Sequence, residues 1–425
     1  MATPQRPSRA PQATFRSSAR LKELMADHFT GLDRAAREKS APVAWCTSVG
    51  PVELLRALGF AVFFPENHGA LLGASRVAGE VMGRAHALGY SPDICSYLTS
   101  DIGAYLARKS PLSRYGLSGA PRPDLLLYST NQCREVRDWF EFYGREWNVP
   151  VVGVTSFRDL GDVETSHVDA ITRQLEALIP GLEAVAGRRL DARALEQAVD
   201  RSRTCSGLWR DCLGSSASRP APLTFFDATI QMGPAVVLRG TAEACDYYRL
   251  LKAELSERVT AGAGAPHRER FRLYWDGMPI WGRLRDLSTL FASLGTSVVA
   301  STYCNSWVFD ALSPRDPLRS MARASLELFI ARAEGPKQRY LERMTREFSV
   351  DGLIFHDART CPNNSNVRFG LAQRFRRDSH VPVLVLDGDL NDLRCFSDEQ
   401  ARTNIEAFVE QLEDAGPAAS RGGRG

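Results

Sequence analysis

Nine cysteines are spread through this chain of 425 residues, and the sequence around three of them suits a thiolate that must hold a metal. Cys133 follows the apolar run DLLLY and directly precedes the helical stretch REVRDWFEFY. Cys361 follows DGLIF in the same manner, and Cys95 opens a helical stretch three residues after the break at Pro92. A thiol at a helix N-terminus feels the positive end of the dipole, which favours the thiolate. The three share no compact C-x-x-C spacing, which excludes a zinc ribbon or a bacterial ferredoxin motif. Ligands this far apart suggest instead a cluster held between two domains. Three thiolates would leave one iron of a cubane open to substrate or solvent. The remaining cysteines are expected to do less. Cys205 and Cys212 lie seven apart on one helix face, and Cys245 is also helical, so all three are assigned to packing. Cys304 and Cys395 fall in loops after strands, and Cys46 ends the first strand, near the site but not as a ligand.

Two further residues have types suited to acid–base work. Ser48 falls just past the strand PVAWC and Glu66 just past the strand AVFF. If the two strands are parallel neighbours, both side chains reach the same sheet edge, where doubly wound folds collect ligands. A hydroxyl there can hydrogen-bond an oxygen that gains negative charge, and a carboxyl shielded from water can carry a proton. The plainer roles are a helix cap for Ser48 and a solvated loop carboxylate for Glu66. Asn67 and His68, in PENHGALLGA, are candidate substrate contacts. His68 and His356 are both expected in loops after strands.

The elements that must position these residues alternate strand and helix, the pattern of a parallel sheet covered on both faces. The order of parts occurs twice. PVAWC, the helix PVELLRAL, a stop at Gly59 and the strand AVFF are matched later by FRLYW, LRDLSTLFASL, Gly295 and SVVA. DLLLY and DGLIF then correspond, as do the Val-Pro strands VPVVGV and VPVLVL. Four β-α steps in each half predict two doubly wound, flavodoxin-like α/β domains with parallel sheets. Residues 165–213 read as helices between them, with SSASRPAP as the linker. The expected division is a disordered tail and leading helix over 1–40, a first α/β domain with helical extension over 41–215, a second over 220–415, and a frayed end over 416–425. The tail is expected to cover about the first twenty residues, which are basic and rich in Pro and Ser.

Composition narrows the class. With 44% hydrophobic and 24% charged residues the chain has ordinary globular proportions, and 53 basic against 50 acidic residues give a net charge of only +3. That balance makes no case for nucleic-acid or membrane partners. No apolar run is long enough to cross a bilayer, and the first residues lack the apolar core of an export signal. Reduced thiols in the cytoplasm are the expectation.

At these residues the sequence resembles the family of 2-hydroxyacyl-CoA dehydratases and ATP-dependent benzoyl-CoA reductases. The matching segments run in order along the chain: SVGPVELLRALGF, FFPENHGALLGA, PDICSYLTSDIGA, PDLLLYSTNQCREVRDWFE, DGLIFHDARTC and DGDLNDLRCFSDEQARTNIEAF. The resemblance implies a [4Fe-4S] cluster on Cys95, Cys133 and Cys361. It implies a separate activator protein that hydrolyses ATP, which this chain does not bind, and passes one electron at low potential. It also implies a related second subunit, most simply in a heterodimer, and an acyl-CoA substrate that forms a ketyl radical. In the dehydratases that radical expels the neighbouring hydroxyl, with a serine and a glutamate at the places of Ser48 and Glu66 serving the thioester and the leaving group. In the reductases the electrons enter an aromatic ring. A subunit that only relays electrons is the other role the resemblance admits. The chain departs from the pattern at Leu98 and Thr99, where many members carry an arginine, and at Pro362, Asn363, Asn364 and Ser365, where many read Lys-Pro-Tyr-Ser.

Overall fold

The short runs Val43–Cys46 and Leu125–Ser129 are almost wholly buried, as the strands of a parallel sheet covered by helices on both faces must be. In the computed structural model, which describes residues 15–264 and 268–415, they are two of eight strands in two four-stranded sheets. The first half begins with helix α1 (Ser17–Glu38), then β1 (Val43–Cys46), α2 (Val52–Ala57), β2 (Ala61–Phe63), α3 (Pro65–Ala74), α4 (Ala78–Ala87) and α5 (Ser96–Ala107). It continues with β3 (Leu125–Ser129), α6 (Glu135–Trp147) and β4 (Val151–Val154). Two long helices follow, α7 (Thr165–Ala186) and α8 (Ala192–Gly214), then α9 (Phe225–Gln231), α10 (Gly233–Val237) and α11 (Ala242–Thr260). The second half comprises β5 (Phe271–Asp276), α12 (Leu284–Ser293), β6 (Thr296–Ser301), α13 (Thr302–Asn305), α14 (Pro317–Leu326), α15 (Glu334–Glu347), β7 (Gly352–Ala358), α16 (Leu371–Ser379), β8 (Val383–Gly388) and α17 (Asp398–Ala415).

The strand orders are β2-β1-β3-β4 and β6-β5-β7-β8, with every pairing parallel. The same connectivity therefore occurs twice, as the repeated sequence pattern predicts. In each sheet the order reverses at the first strand, which opens a crevice beyond the carboxyl ends of β1 and β3 and, in the second, of β5 and β7. Register aligns those ends: Trp45 pairs with Phe63 and Cys46 with Leu127. The glycines expected to stop the helices before β2 and β6 do so, Gly59 at φ +78° and Gly295 at φ +68°, a conformation that costs glycine nothing.

Two expectations need correction. The chain is already helical at Ser17, within the stretch read as a disordered tail, because Glu254 of α11 caps that turn. Its carboxylate accepts the backbone N–H of Arg16 at 2.7 Å and of Ser17 at 2.9 Å. Residues 1–14 and the end expected to fray, 416–425, lie outside the described residues. Helices α9 and α10 were not anticipated between the linker and β5, whereas α11 contains Cys245, which was expected to be helical. All three complete a shared core, in which Leu127 of the first sheet, Trp209 of α8 and Trp275 of the second sheet belong to one apolar cluster. Among the described residues no helix is long and apolar enough to cross a membrane.

Candidate functional site

Cys95 is the N-cap residue of α5, Cys133 lies in the loop before α6, and Cys361 caps a single 3-10 turn, Pro362–Asn364. Each sulfur therefore meets the free backbone N–H groups of a starting turn. Cys95 is approached by those of Tyr97 and Leu98, Cys133 by that of Val136, and Cys361 by that of Asn364. Burial nonetheless pushes all three thiols up, Cys361 to about 12. The thiols also raise one another: Cys361 acts on Cys95, Cys95 on Cys133, and Cys133 on Cys361. Such thiols are poor free nucleophiles, whereas a bound metal would deprotonate them outright.

Among the described residues, no three potential ligands converge closely enough to hold a single metal ion. A single ion draws every ligand to within about 2.3 Å of one point, but a cluster anchors each thiolate to a different iron and keeps the sulfurs further apart. The donor set, three half-buried cysteines around one cavity, fits a cluster better than an ion.

That cavity has a volume of about 1450 Å³, and Ser48, Glu66, Asn67, Cys95, Cys133 and Cys361 all line it. Residues from both halves thus meet there, since Cys361 follows β7 while the others belong to the first half. Met278, Trp281, Tyr303 and Trp307 are among the second-half residues that line it, with Arg283, Asp286 and others.

Ser48 and Glu66 are directly joined. The Ser48 backbone N–H and hydroxyl donate to Oε2 of Glu66 at 2.6 and 2.9 Å. Oε1 is enclosed and finds no donor among the described residues. Burial outweighs the two hydrogen bonds and raises the carboxyl to about 7. Glu66 sits in the first turn of α3 rather than in a loop, with Pro65 setting the helix start. At neutral pH it can therefore give or take a proton.

His68 is also on α3, not in a loop, and its ring faces away from the cavity wall. Its Nδ1 lies 2.5 Å from Oδ1 of Asp101 and its Nε2 lies 2.8 Å from the Ser110 hydroxyl. His356 is within strand β7, where Nδ1 contacts the Met278 carbonyl at 2.6 Å and burial lowers its pKa. Neither histidine lines the cavity, whereas Asn67 does. Cys205 and Cys212 of α8 and Cys245 of α11 are buried in the core, in keeping with the packing role. Cys304 is in the short helix α13 and Cys395 in a 3-10 turn, and with Cys46 they stay off the cavity wall.

Three charged residues that support the site were missed. Asp101 of α5 accepts His68 of α3 and, on Oδ2, the Trp139 indole at 2.9 Å and the Tyr143 hydroxyl at 2.7 Å, both on α6. It thereby fixes the helices that carry Glu66, Cys95 and Cys133. Arg239, between α10 and α11, donates to the carbonyls of Ser48 at 3.1 Å and Gly50 at 2.6 Å and pairs with Glu53 at 2.9 Å. It clamps the loop that bears Ser48. Asp389 follows β8 and binds the turn before Cys361. Only partners distant in sequence give these charges their roles, so no local signal marked them.

Comparison with known proteins identifies the family. The family described as 2-hydroxyglutaryl-CoA dehydratase, D-component, matches residues 47–412. The chain is 29% identical to the (R)-2-hydroxyisocaproyl-CoA dehydratase alpha subunit of Clostridioides difficile, over 93% of this chain and 95% of that one. It is 25% identical to (R)-2-hydroxyglutaryl-CoA dehydratase, subunit alpha, of Acidaminococcus fermentans, over 89% and 94%. A benzoyl-CoA reductase subunit of Thauera aromatica is 26% identical, over 95% and 96%. With a match that spans most of its length, this chain belongs to the 2-hydroxyglutaryl-CoA dehydratase D-component family, whose members named here are subunits of dehydratases and of a benzoyl-CoA reductase.

Proposed function

We propose that this chain is the substrate-holding, [4Fe-4S]-containing subunit of an ATP-activated radical enzyme that removes water from a 2-hydroxyacyl-CoA. The observation that carries this reading is the hydrogen-bonded Ser48–Glu66 pair on the wall of the cavity that Cys95, Cys133 and Cys361 also line. Those three thiolates would hold the cluster, which when bound supplies single electrons at low potential. The chain's own groups do the rest. Protonated Glu66 frees the Ser48 hydroxyl to hydrogen-bond the thioester oxygen as negative charge grows there. Its proton joins the hydroxyl that leaves C2, so that water departs, and the carboxylate then accepts the proton lost from C3. Its pKa of about 7 suits both directions.

The activator that hydrolyses ATP and the related second subunit are separate proteins in this reading, which places the enzyme in the cytoplasm. The relatives' names, each of which denotes one subunit of a larger enzyme, support a second chain. Reduction of an aromatic acyl-CoA is the second reading, favoured by the likeness to the Thauera aromatica reductase. A pure electron relay has no use for a paired serine and carboxyl at the cavity. The test is Glu66→Gln in the complete complex. It should keep the iron and accept the activator's electron yet lose most product, and normal turnover by this variant would overturn the assignment. Supplying 2-hydroxyacyl-CoA and aromatic acyl-CoA in parallel separates dehydratase from reductase.

A further inference from the structure

Asp389 is fully enclosed. Its carboxylate holds four neutral donors. Oδ2 accepts the Thr360 backbone N–H at 2.8 Å and the Thr360 hydroxyl at 2.6 Å, and Oδ1 accepts the N–H groups of Asn391 and Asp392, each at 3.1 Å. The contact is passed on, because Oγ1 of Thr360 accepts the N–H of Ser96 at 3.0 Å. Thr360 precedes Cys361 and Ser96 follows Cys95, so one carboxylate ties together a cysteine-bearing turn from each half. Asn391 extends the same link to α3 and α5, donating to the Gly69 carbonyl and the Ser100 hydroxyl, both at 2.9 Å.

A charge enclosed in a region of low dielectric has a field that reaches further than in water. We propose that Asp389 is a positioning residue that also sets the reduction potential of the cluster at Cys95, Cys133 and Cys361, its negative charge making an added electron harder to accept. The proposal rests on the cluster reading above. Net charge and hydrogen bonding around a cluster are the protein's main means of setting its potential.

The experiment compares the full-length protein, reconstituted without oxygen, with Asp389→Asn, Thr360→Val and Asp351→Asn, measuring iron content and midpoint potential by spectroelectrochemical titration. Asp389→Asn keeps the shape and removes the charge, so its potential should shift positive at unchanged iron. Thr360→Val removes a donor that spreads the carboxylate's charge, so its potential should shift negative. Asp351→Asn neutralises an equally buried carboxylate at the opposite end of β7 from Cys361, and its potential should match the wild type. An unshifted potential in iron-loaded Asp389→Asn overturns the proposal. If that variant retains too little iron to titrate, the sign in Thr360→Val decides, and a zero or positive shift overturns it. Wild-type protein that takes up no iron removes the cluster reading itself, a failure distinct from an unshifted potential in loaded protein.

Discussion

Replacement of Glu66 by glutamine should alter how stability depends on pH, by an amount that follows from the site. Burial raises this carboxyl from an ordinary 4.5 to about 7. Between those values the folded protein holds a proton that the unfolded chain has released, so folding is favoured by acid there and loses stability as pH rises. The contribution is fully present below pH 4.5 and gone above about pH 7. At about 1.4 kcal/mol for each pH unit, the whole effect amounts to about 3 kcal/mol. Glutamine has nearly the same shape and no charge to desolvate, so it is free of that pH dependence. The measurement is urea unfolding of wild type and variant across pH 4 to 8, read as the difference between them, so that other titrating groups cancel. The variant should gain on the wild type from about pH 5 upward and hold a constant lead above about pH 7. A difference that stays flat across that range, or one that grows toward acid, would refute the claim that Glu66 is a desolvated carboxyl poised to carry a proton.

Other perturbations address the remaining parts of the site. Alanine at Cys95, Cys133 or Cys361 should each remove most of the iron, while Cys205→Ala or Cys245→Ala should leave it, and full iron in all three ligand variants would end the assignment. Dithionite alone should reduce a cluster held by three thiolates poorly and activator with ATP should succeed; ready reduction by a mild donor would point to an ordinary electron carrier. His68→Ala leaves the enclosed Asp101 without one of its partners, which should cost about 3 kcal/mol in urea unfolding without changing acyl-CoA affinity. Arg239→Met leaves the buried Glu53 without its cation and should also cost about 3 kcal/mol, and a cost below about 1 kcal/mol would show that the Ser48 loop does not depend on the clamp.

What could be read from the sequence was local. Strands such as Val43–Cys46 and helix stops such as Gly59 carry their own signal in apolar runs and in a conformation suited to glycine. The three cysteines were found because each adjoins a strand or helix end, and strand ends in a parallel fold meet at one edge. Side-chain orientation was less legible. His68 lies two residues from Glu66, and in a loop both could have faced the substrate. On helix α3 they point differently, and His68 turns to Asp101, a partner 33 residues away. Helices α9 and α10 were missed because their sequences resemble linker or helix with no strand to frame them. Arg239 could not be found from sequence because its partners, Ser48, Gly50 and Glu53, lie nearly 190 positions away.

The repeat itself shows how labour is divided between the halves. Equivalent strands end in different chemistry. Beyond β1 stand Thr47 and Ser48, whereas β5 ends at Asp276, which is sealed by the Thr302 hydroxyl at 2.5 Å and Asn366 at 2.8 Å. Glu66 follows β2, whereas β6 is followed by Tyr303, whose phenol is held protonated by burial. The second half thus has no serine–carboxyl pair at the cavity and gives it Met278, Tyr303 and Trp307 instead. At the next strand the halves agree, since β3 leads to Cys133 and β7 to Cys361. Duplication of one β-α plan therefore accounts for two of the three cysteine positions by symmetry. The third, Cys95, lies on the added helix α5, and the links through Asp101 and Asp389 bring that helix into register with both sheets. Leu98 and Ile102 of α5 share one apolar cluster with Trp45, Phe63 and Leu126 of the first sheet, so any change that shifts α5 should disturb iron binding and that sheet's packing together.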